Sequence, residues 1–474
     1  MNLKPMSHQS HMTQDLGHEP EPRRFQMSKA HWGWAGGGAA GLVLAILVAW
    51  GRFPLVLAAV SAVALAGIVV LATMSNRPKL MLMFFLNACL LVVAKRDIGG
   101  IDFVVLLSML TALITAFGFA ANKRTLNATA TLTPGNANFG AVHFSLIGFA
   151  VWAIISTLSN SQSLLSLMPW ISGITFAILI SWTPLSQLPS FASARRAVLA
   201  GGAIAVTYDL YLLGTGRALN VGTFNAGRFV GSLGDYELVA EFYGAIILLG
   251  LTAIFFDNSR IWRLASGALL VSSFILLLAT QSRGPIVILC AVVPMLALTS
   301  AFLFRESAGK TLAVVGGLTV AIFASIGTLS TLPLYARLTS IQLDGSIEST
   351  LNRASVWDYF TQLPGFVESG LIGNGFDYPY EQIGTFPHSL YLWLLWSGGI
   401  VILVFFVLLV SLILCKLLRG IFLRRTASLS AAVIVLYILL DEVKIEAART
   451  SPSVCFLWVV LSLAILASRE QREL

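Results

Sequence analysis

The chain has 474 residues, of which 57% are hydrophobic and only 11% charged, with a mean hydropathy of +0.83. A soluble chain carries about 25% charged residues, so a soluble enzyme, a disulfide-rich secreted domain and a disordered chain are excluded, and the continuously apolar runs do not alternate as β-barrel strands do. The net charge is +8 and the pI about 9.5, with Lys and Arg in twos and threes at the ends of apolar runs, the pattern of membrane topology rather than of a nucleic-acid surface.

Residues 1–31 are polar, hold Arg23, Arg24 and Lys29, and lack the apolar core and cleavage site of a signal peptide. They read as a disordered cytoplasmic tail before an uncleaved first span. Apolar runs of bilayer-crossing length then follow at about 34–50, 53–74, 80–94, 101–120, 141–159, 164–182, 197–214, 236–256, 264–280, 285–304, 311–333, 388–415, 427–440 and 453–468. The third and thirteenth are short, so the expected fold is an all-α, polytopic membrane helical bundle of about 12–14 transmembrane helices. Its divisions are a transmembrane bundle over 32–333, one long external loop over 334–387 and C-terminal helices over 388–474. The four cysteines, Cys89, Cys290, Cys415 and Cys455, lie in or beside apolar runs and form no CxxC pair.

With the tail inside, basic residues divide about two to one in favour of the cytoplasmic connections, which places both termini inside. The minority on the other face is informative. It comprises Arg52, Lys95, Arg96, Arg217, Arg228, Arg283, Arg337, Arg353, Lys444 and Arg449. A chain with short connections and a single long loop tends to carry its function there.

Three segments stand out. The first, Phe224 to Glu237, is glycine-rich and leads into the run 236–256; Arg228 offers a planar fork suited to phosphate, and Glu237 and Glu241 share a helix face. The same residues also suit a glycine turn with a snorkelling arginine and headgroup-level acids. The second is Thr280-Gln281-Ser282-Arg283-Gly284-Pro285, where Pro285 opens a helix and Arg283 is the only charge in the turn. The third is the long loop, with Arg353, Trp357, Tyr359 and Phe360 on a short helix at about 353–362, then Gly373 and Gly375 in a close approach or tight turn. It ends at Pro387-His388-Ser389-Leu390-Tyr391, where His388 is the only histidine after His143. A neutral imidazole there suits a proton acceptor, and equally a helix cap. The loop aromatics suit sugar stacking or an interfacial belt.

The order of these motifs resembles the bacterial O-antigen ligase/polymerase family: Gly-Arg-Phe-x-Gly before a span, a Ser-Arg-Gly turn, Asn-Arg-x-x-x-Trp with Gly-x-Gly, then Pro-His-Ser-x-Tyr-Leu. The resemblance covers roughly 200–415, and the chain has about two more expected spans than is usual in the family. It implies a membrane glycosyltransferase using undecaprenyl-pyrophosphate-linked oligosaccharide, with Arg228, Arg283 and Arg353 on the donor pyrophosphate and His388 at the reacting centre, Glu237 being second choice as base. Trp357, Tyr359 and Tyr391 are then candidate sugar contacts. No external Asp-x-Asp pair is present, which points to a metal-free reaction without cofactor, in which arginines stabilise the leaving pyrophosphate. The expected function is polymerisation of repeat units into exopolysaccharide or O-antigen on the periplasmic face of the bacterial inner membrane, alongside a chain-length regulator and a flippase. A ligase delivering glycan to lipid A-core shares the chemistry and differs in acceptor. From other classes, a secondary transporter or flippase would show discontinuous helices and mid-span charges, and a non-catalytic subunit of an envelope complex would need no arginines gathered about a histidine.

Overall fold

The computed structural model describes residues 75–89, 97–98, 101–102, 137–219, 227–304, 355–363, 366 and 370–470, together with Gly309 and Gly316. These residues form an all-α, polytopic membrane helical bundle: α1 (Asn76–Cys89), α2 (Ala137–Ser159), α3 (Met168–Trp182), α4 (Phe191–Gly214), α5 (Tyr236–Phe256), α6 (Arg260–Thr280), α7 (Arg283–Leu303), α8 (Leu390–Phe422), α9 (Thr426–Asp441) and α10 (Ser451–Arg469). Seven helical stretches are long and apolar enough to cross a membrane, those built on α2, α4, α5, α6, α7, α8 and α10, while α3 and α9 are shorter and equally apolar. Residues 101–102, expected to open a span, instead pair antiparallel with Asp97–Ile98; the Gly99-Gly100 sequence between them suits such a reversal. The tail at 1–31, the expected spans at 34–50 and 53–74, the rest of those at 101–120 and 311–333 apart from Gly316, and the first part of the long loop, 334–354, lie outside the described residues.

Helix ends follow local chemistry. Ser190, Asp235, Ser259 and Thr450 each turn a side-chain oxygen onto a backbone N–H in the first turn of α4, α5, α6 and α10. α5 and α10 are buried along nearly their whole length and form the centre. α6 packs on α5, α1 on α4, α3 on α10 and α2 on α8, while α9 sits between α5, α7, α8 and α10. Exposed Ile261, Leu264, Val271, Val287, Leu298 and Phe422 leave an apolar outer surface of the kind lipid covers.

α8 is discontinuous. Gly399 sits at φ 67° and ψ −171°, and the loop before α8 is laid into the break. Asn374 N and Gly375 N donate to Trp396 O and Ser397 O at 2.8 Å each, and Ile400 N donates to Gly370 O at 2.9 Å. From α2, Ser156 Oγ donates to Ser397 O at 2.6 Å and Trp152 Nε1 to Gly398 O at 3.0 Å. The carbonyls freed by the break are thereby paired inside the protein, as low-dielectric surroundings require. Gly373 and Gly375, with φ of 79° and 84°, make this approach possible.

Candidate functional site

One end of the bundle collects the ends of α4, α6 and α9 and the starts of α5, α7, α8 and α10. Asp235 caps α5 there: its Oδ1 accepts from Glu237 N at 2.8 Å and Leu238 N at 3.3 Å. Its Oδ2 accepts from Arg449 Nη1 at 3.0 Å. The glycine-rich segment before α5 is held by Asp209 of α4, which accepts from Ser232 N at 2.8 Å and Tyr243 Oη at 2.6 Å. Phe229 N donates to Ala279 O at 3.1 Å and Val230 N to Ala218 O at 2.9 Å, so the segment is fastened to the end of α6. Arg228 is delivered onto the α6–α7 turn. Its Nε donates to Thr280 O at 3.0 Å and its Nη2 to Gln281 O at 3.2 Å, with the guanidinium carbon 3.3 Å from the centre of the Tyr236 ring. Much of its donor capacity thus ties two turns together.

Arg283 opens α7, two residues beyond Gln281, and is half-buried. The Lys444 side chain lies against the neighbouring Gly284, which joins this turn to the α9–α10 connection. That connection also grips the start of α8: Leu390 N donates to Glu442 O at 2.9 Å and to Ile445 O at 3.2 Å. His388, just before α8, has a left-handed backbone with φ 50°, a conformation rare outside glycine.

Arg449 is the hub of the cluster. Nη1 donates to Asp235 Oδ2 and, at 3.3 Å, to Glu237 Oε2; Nε donates to Glu446 Oε1; Nη2 donates to His388 Nδ1 at 2.5 Å. Four of its five N–H groups are therefore engaged. The Phe386 ring centre lies 5.1 Å from its guanidinium carbon. Burial works against its charge, but Glu446, Asp235 and Glu237 outweigh burial and hold the group protonated. Because a guanidinium only donates, His388 Nδ1 must accept, and the proton of the neutral ring then sits on Nε2. Glu446 is buried completely. Burial pushes its carboxyl up to about 7, with Glu237 and Asp235 adding to the rise and Arg449 opposing it.

The structure therefore brings Arg228, Glu237, His388 and the Arg283 turn together. Arg353 lies outside the described residues. Residues 355–361 are helical, within the helix expected at about 353–362. Trp357 Nε1 is buried and has no hydrogen-bond partner among the described residues, and Tyr359 is exposed. Tyr391 is turned inward: its Oη donates to Leu439 O at 3.0 Å and its ring packs near Phe406, so it braces α8 against α9. Reading the sequence by motif left Asp235, Glu446 and Arg449 without roles. The signal that finds them is the run Asp441-Glu442-Val443-Lys444-Ile445-Glu446-Ala447-Ala448-Arg449, five charges in nine residues of a charge-poor chain. No protein-family model matches the chain, and no curated protein matches it.

Proposed function

We propose that this chain is a membrane-embedded glycosyltransferase that takes its glycan from undecaprenyl pyrophosphate and polymerises repeat units into an exopolysaccharide or O-antigen, working on the periplasmic face of a bacterial inner membrane. The observation that carries this reading is the convergence, at one end of an apolar bundle, of Arg228, Arg449 and the Arg283 turn with His388 and the Glu237 carboxylate.

In the proposed step the acceptor hydroxyl oxygen attacks the anomeric carbon. A glycosidic bond forms, the bond from that carbon to the pyrophosphate oxygen breaks, and the lipid pyrophosphate leaves with the electron pair. Arg283, with Arg353 from the long loop, meets the charge that develops on the leaving group. The hydroxyl proton needs an acceptor. Since His388 Nδ1 already accepts from Arg449, the geometry favours Glu237 for that task and gives His388 the part of an Nε2–H donor to the leaving oxygen. Arg449 fixes both.

A proton-coupled transporter is the second reading, favoured by the buried carboxyls Glu241, Asp441 and Glu442. The discontinuity in α8 does not add to it, because protein donors occupy the freed carbonyls. The test is the purified full chain with a lipid-linked repeat unit. The expected results are polymer from the wild type, none from Arg283→Ala at equal protein level, partial rescue by Lys, and an approximately 100- to 10,000-fold slower Glu237→Gln. A wild type that makes no polymer but moves protons across proteoliposomes would replace the transferase with the transporter.

A further inference from the structure

Below the Arg449 cluster lies a second set of acids that the proposed transfer step does not use. Glu241 sits inside α5, four residues after Glu237, and is 5% exposed; Asp441 and Glu442, at the end of α9, are 0% exposed. The Glu241 and Glu442 carboxyls, from different parts of the bundle, stand within hydrogen-bonding reach of each other. Glu241 Oε2 and Glu442 Oε1 find no donor among the described residues. The other Glu442 oxygen accepts from Ala447 N at 3.0 Å.

The neighbouring cations are engaged with other carboxyls, although Lys444 also acts on both Glu241 and Glu442. Lys444 Nζ pairs with Asp441 Oδ1 at 2.7 Å. Arg449 is engaged by Asp235, Glu237, Glu446 and His388. From α9 Tyr437 faces Glu241, and from α8 Tyr391 faces Glu442 while donating to Leu439 O. Lys444 and Arg449 are the cations set against these acids, which are Asp235, Glu237, Glu241, Asp441, Glu442 and Glu446. Two facing ionised carboxylates in a buried site cost far more than one ionised group and one acid joined by a hydrogen bond.

We infer that Glu241 and Glu442 form a proton-binding site, holding one proton between their facing carboxyl groups. The shared proton supplies the missing donor and joins α5 to the α9–α10 connection. Burial, with Asp441 and Glu446 beside it, raises Glu442 above the ordinary carboxyl range, against the pull of the Ala447 N–H and of Lys444. The site belongs to the bundle and does not depend on the glycosyl-transfer reading.

The test is infrared spectroscopy of the detergent-solubilised full chain, as difference spectra between near-neutral and strongly alkaline pH. A protonated-carboxyl band that shifts in heavy water should be present in the wild type and lost at alkaline pH. Glu446, raised to about 7, adds an acid band of its own near neutral pH, so the variants are compared in a Glu446→Gln background. The band should remain in Glu446→Gln alone and be missing once Glu241→Gln or Glu442→Gln is added, whose amides replace the shared proton with a permanent donor. If a Gln variant fails to fold, Glu241→Asp keeps the acid and should move the band. A wild type without the band, or a band unmoved by every change at 241 and 442, overturns the site. Since no glycan substrate is used, neither result bears on whether the chain transfers sugars.

Discussion

At the residue scale, a single guanidinium decides which neighbour gives and which takes a proton. Arg449 can only donate, so its bond to His388 Nδ1 leaves Nε2 protonated. A donor role and a base role then part company in one experiment. Gln at 388 keeps an N–H near the Nε2 position, whereas Ala keeps none. Turnover of purified His388→Gln should exceed that of His388→Ala by about tenfold or more, and the pH–rate profile of His388→Gln should retain its acidic limb, because a single hydrogen-bond donor at a developing charge contributes about 100- to 1,000-fold. Equal loss in both, with the limb gone, returns the base role to His388. Glu446 gives a second prediction from the same hub. Its carboxyl moves from 4.5 to about 7 on folding, so the folded protein prefers the acid form. The stability it contributes is complete below the unfolded value and disappears as pH rises through the folded one, a loss of about 3 kcal/mol. Thermal unfolding in detergent should show the wild type weakening between about pH 4.5 and 7, and Glu446→Gln should flatten that slope. A slope unchanged in the variant would assign it to another group.

At the element scale, the break in α8 is the feature on which the long loop is seated, and glycine chemistry tests it. Gly399 and Gly216 have nearly the same positive φ, 67° and 65°. An added Cβ at 216 meets nothing within 4 Å, while at 399 it runs into the carbonyl of Leu371. Gly216→Ala should cost only the backbone penalty of about 1–2 kcal/mol. Gly399→Ala should cost clearly more and should expose the 370–375 loop to protease; equal melting losses would show that the loop is not seated in the break. This feature also marks where sequence reading stops. The limits of α2 through α7 and of α8 to α10 follow from apolar run length and flanking caps, and most match the expected spans within a few residues, because desolvation leaves a membrane segment little choice but helix. Gly373 and Gly375 announced a close approach, yet not its target, since Gly398-Gly399 alone does not say that a helix will open there. The site was half legible. Arg228, Glu237 and His388 stood out as isolated polar groups in apolar surroundings. Arg449 did not, because its meaning lies in Asp235 and Glu237, more than 200 residues away in sequence, and such pairings leave no local trace.

At the scale of the whole molecule, charge is sorted between the two ends of the bundle, and this sets the last prediction. Successive helices joined by short connections run in opposite directions, so α4 ends where α5 starts and α9 ends where α10 starts. The end opposite the site carries Arg77 and Lys79 at the start of α1, Arg195 and Arg196 in α4, Arg260 and Arg263 in α6, Lys416 and Arg419 in α8, Arg424 and Arg425 before α9, and Arg469 at the end of α10. Two of these share one carboxylate, Arg195 and Arg196 bridging to Asp257 at 3.2 and 2.5 Å. Arg469 donates to Ile180 O and Thr183 O at 2.6 Å each, which closes the C-terminal side of α3. Lys79 is buried, and among the described residues the others form a basic rim in which Asp257 and Glu470 are the acids. The site end, in contrast, holds more acids than cations among the described residues; Lys444 and Arg449 are paired with carboxylates and Arg228 is drawn inward onto the Thr280 and Gln281 carbonyls. Membrane insertion retains basic rims on the cytoplasmic side at short loops. The site end, with the 355–389 segment, should therefore face the periplasm and the C-terminus the cytoplasm. A phosphatase fused after residue 360 should be active and one fused at the C-terminus inactive. The converse pattern would place Arg449, His388 and Glu237 on the cytoplasmic face, where a polymerase of exported lipid-linked glycans has no substrate, and would overturn the proposed function together with the orientation.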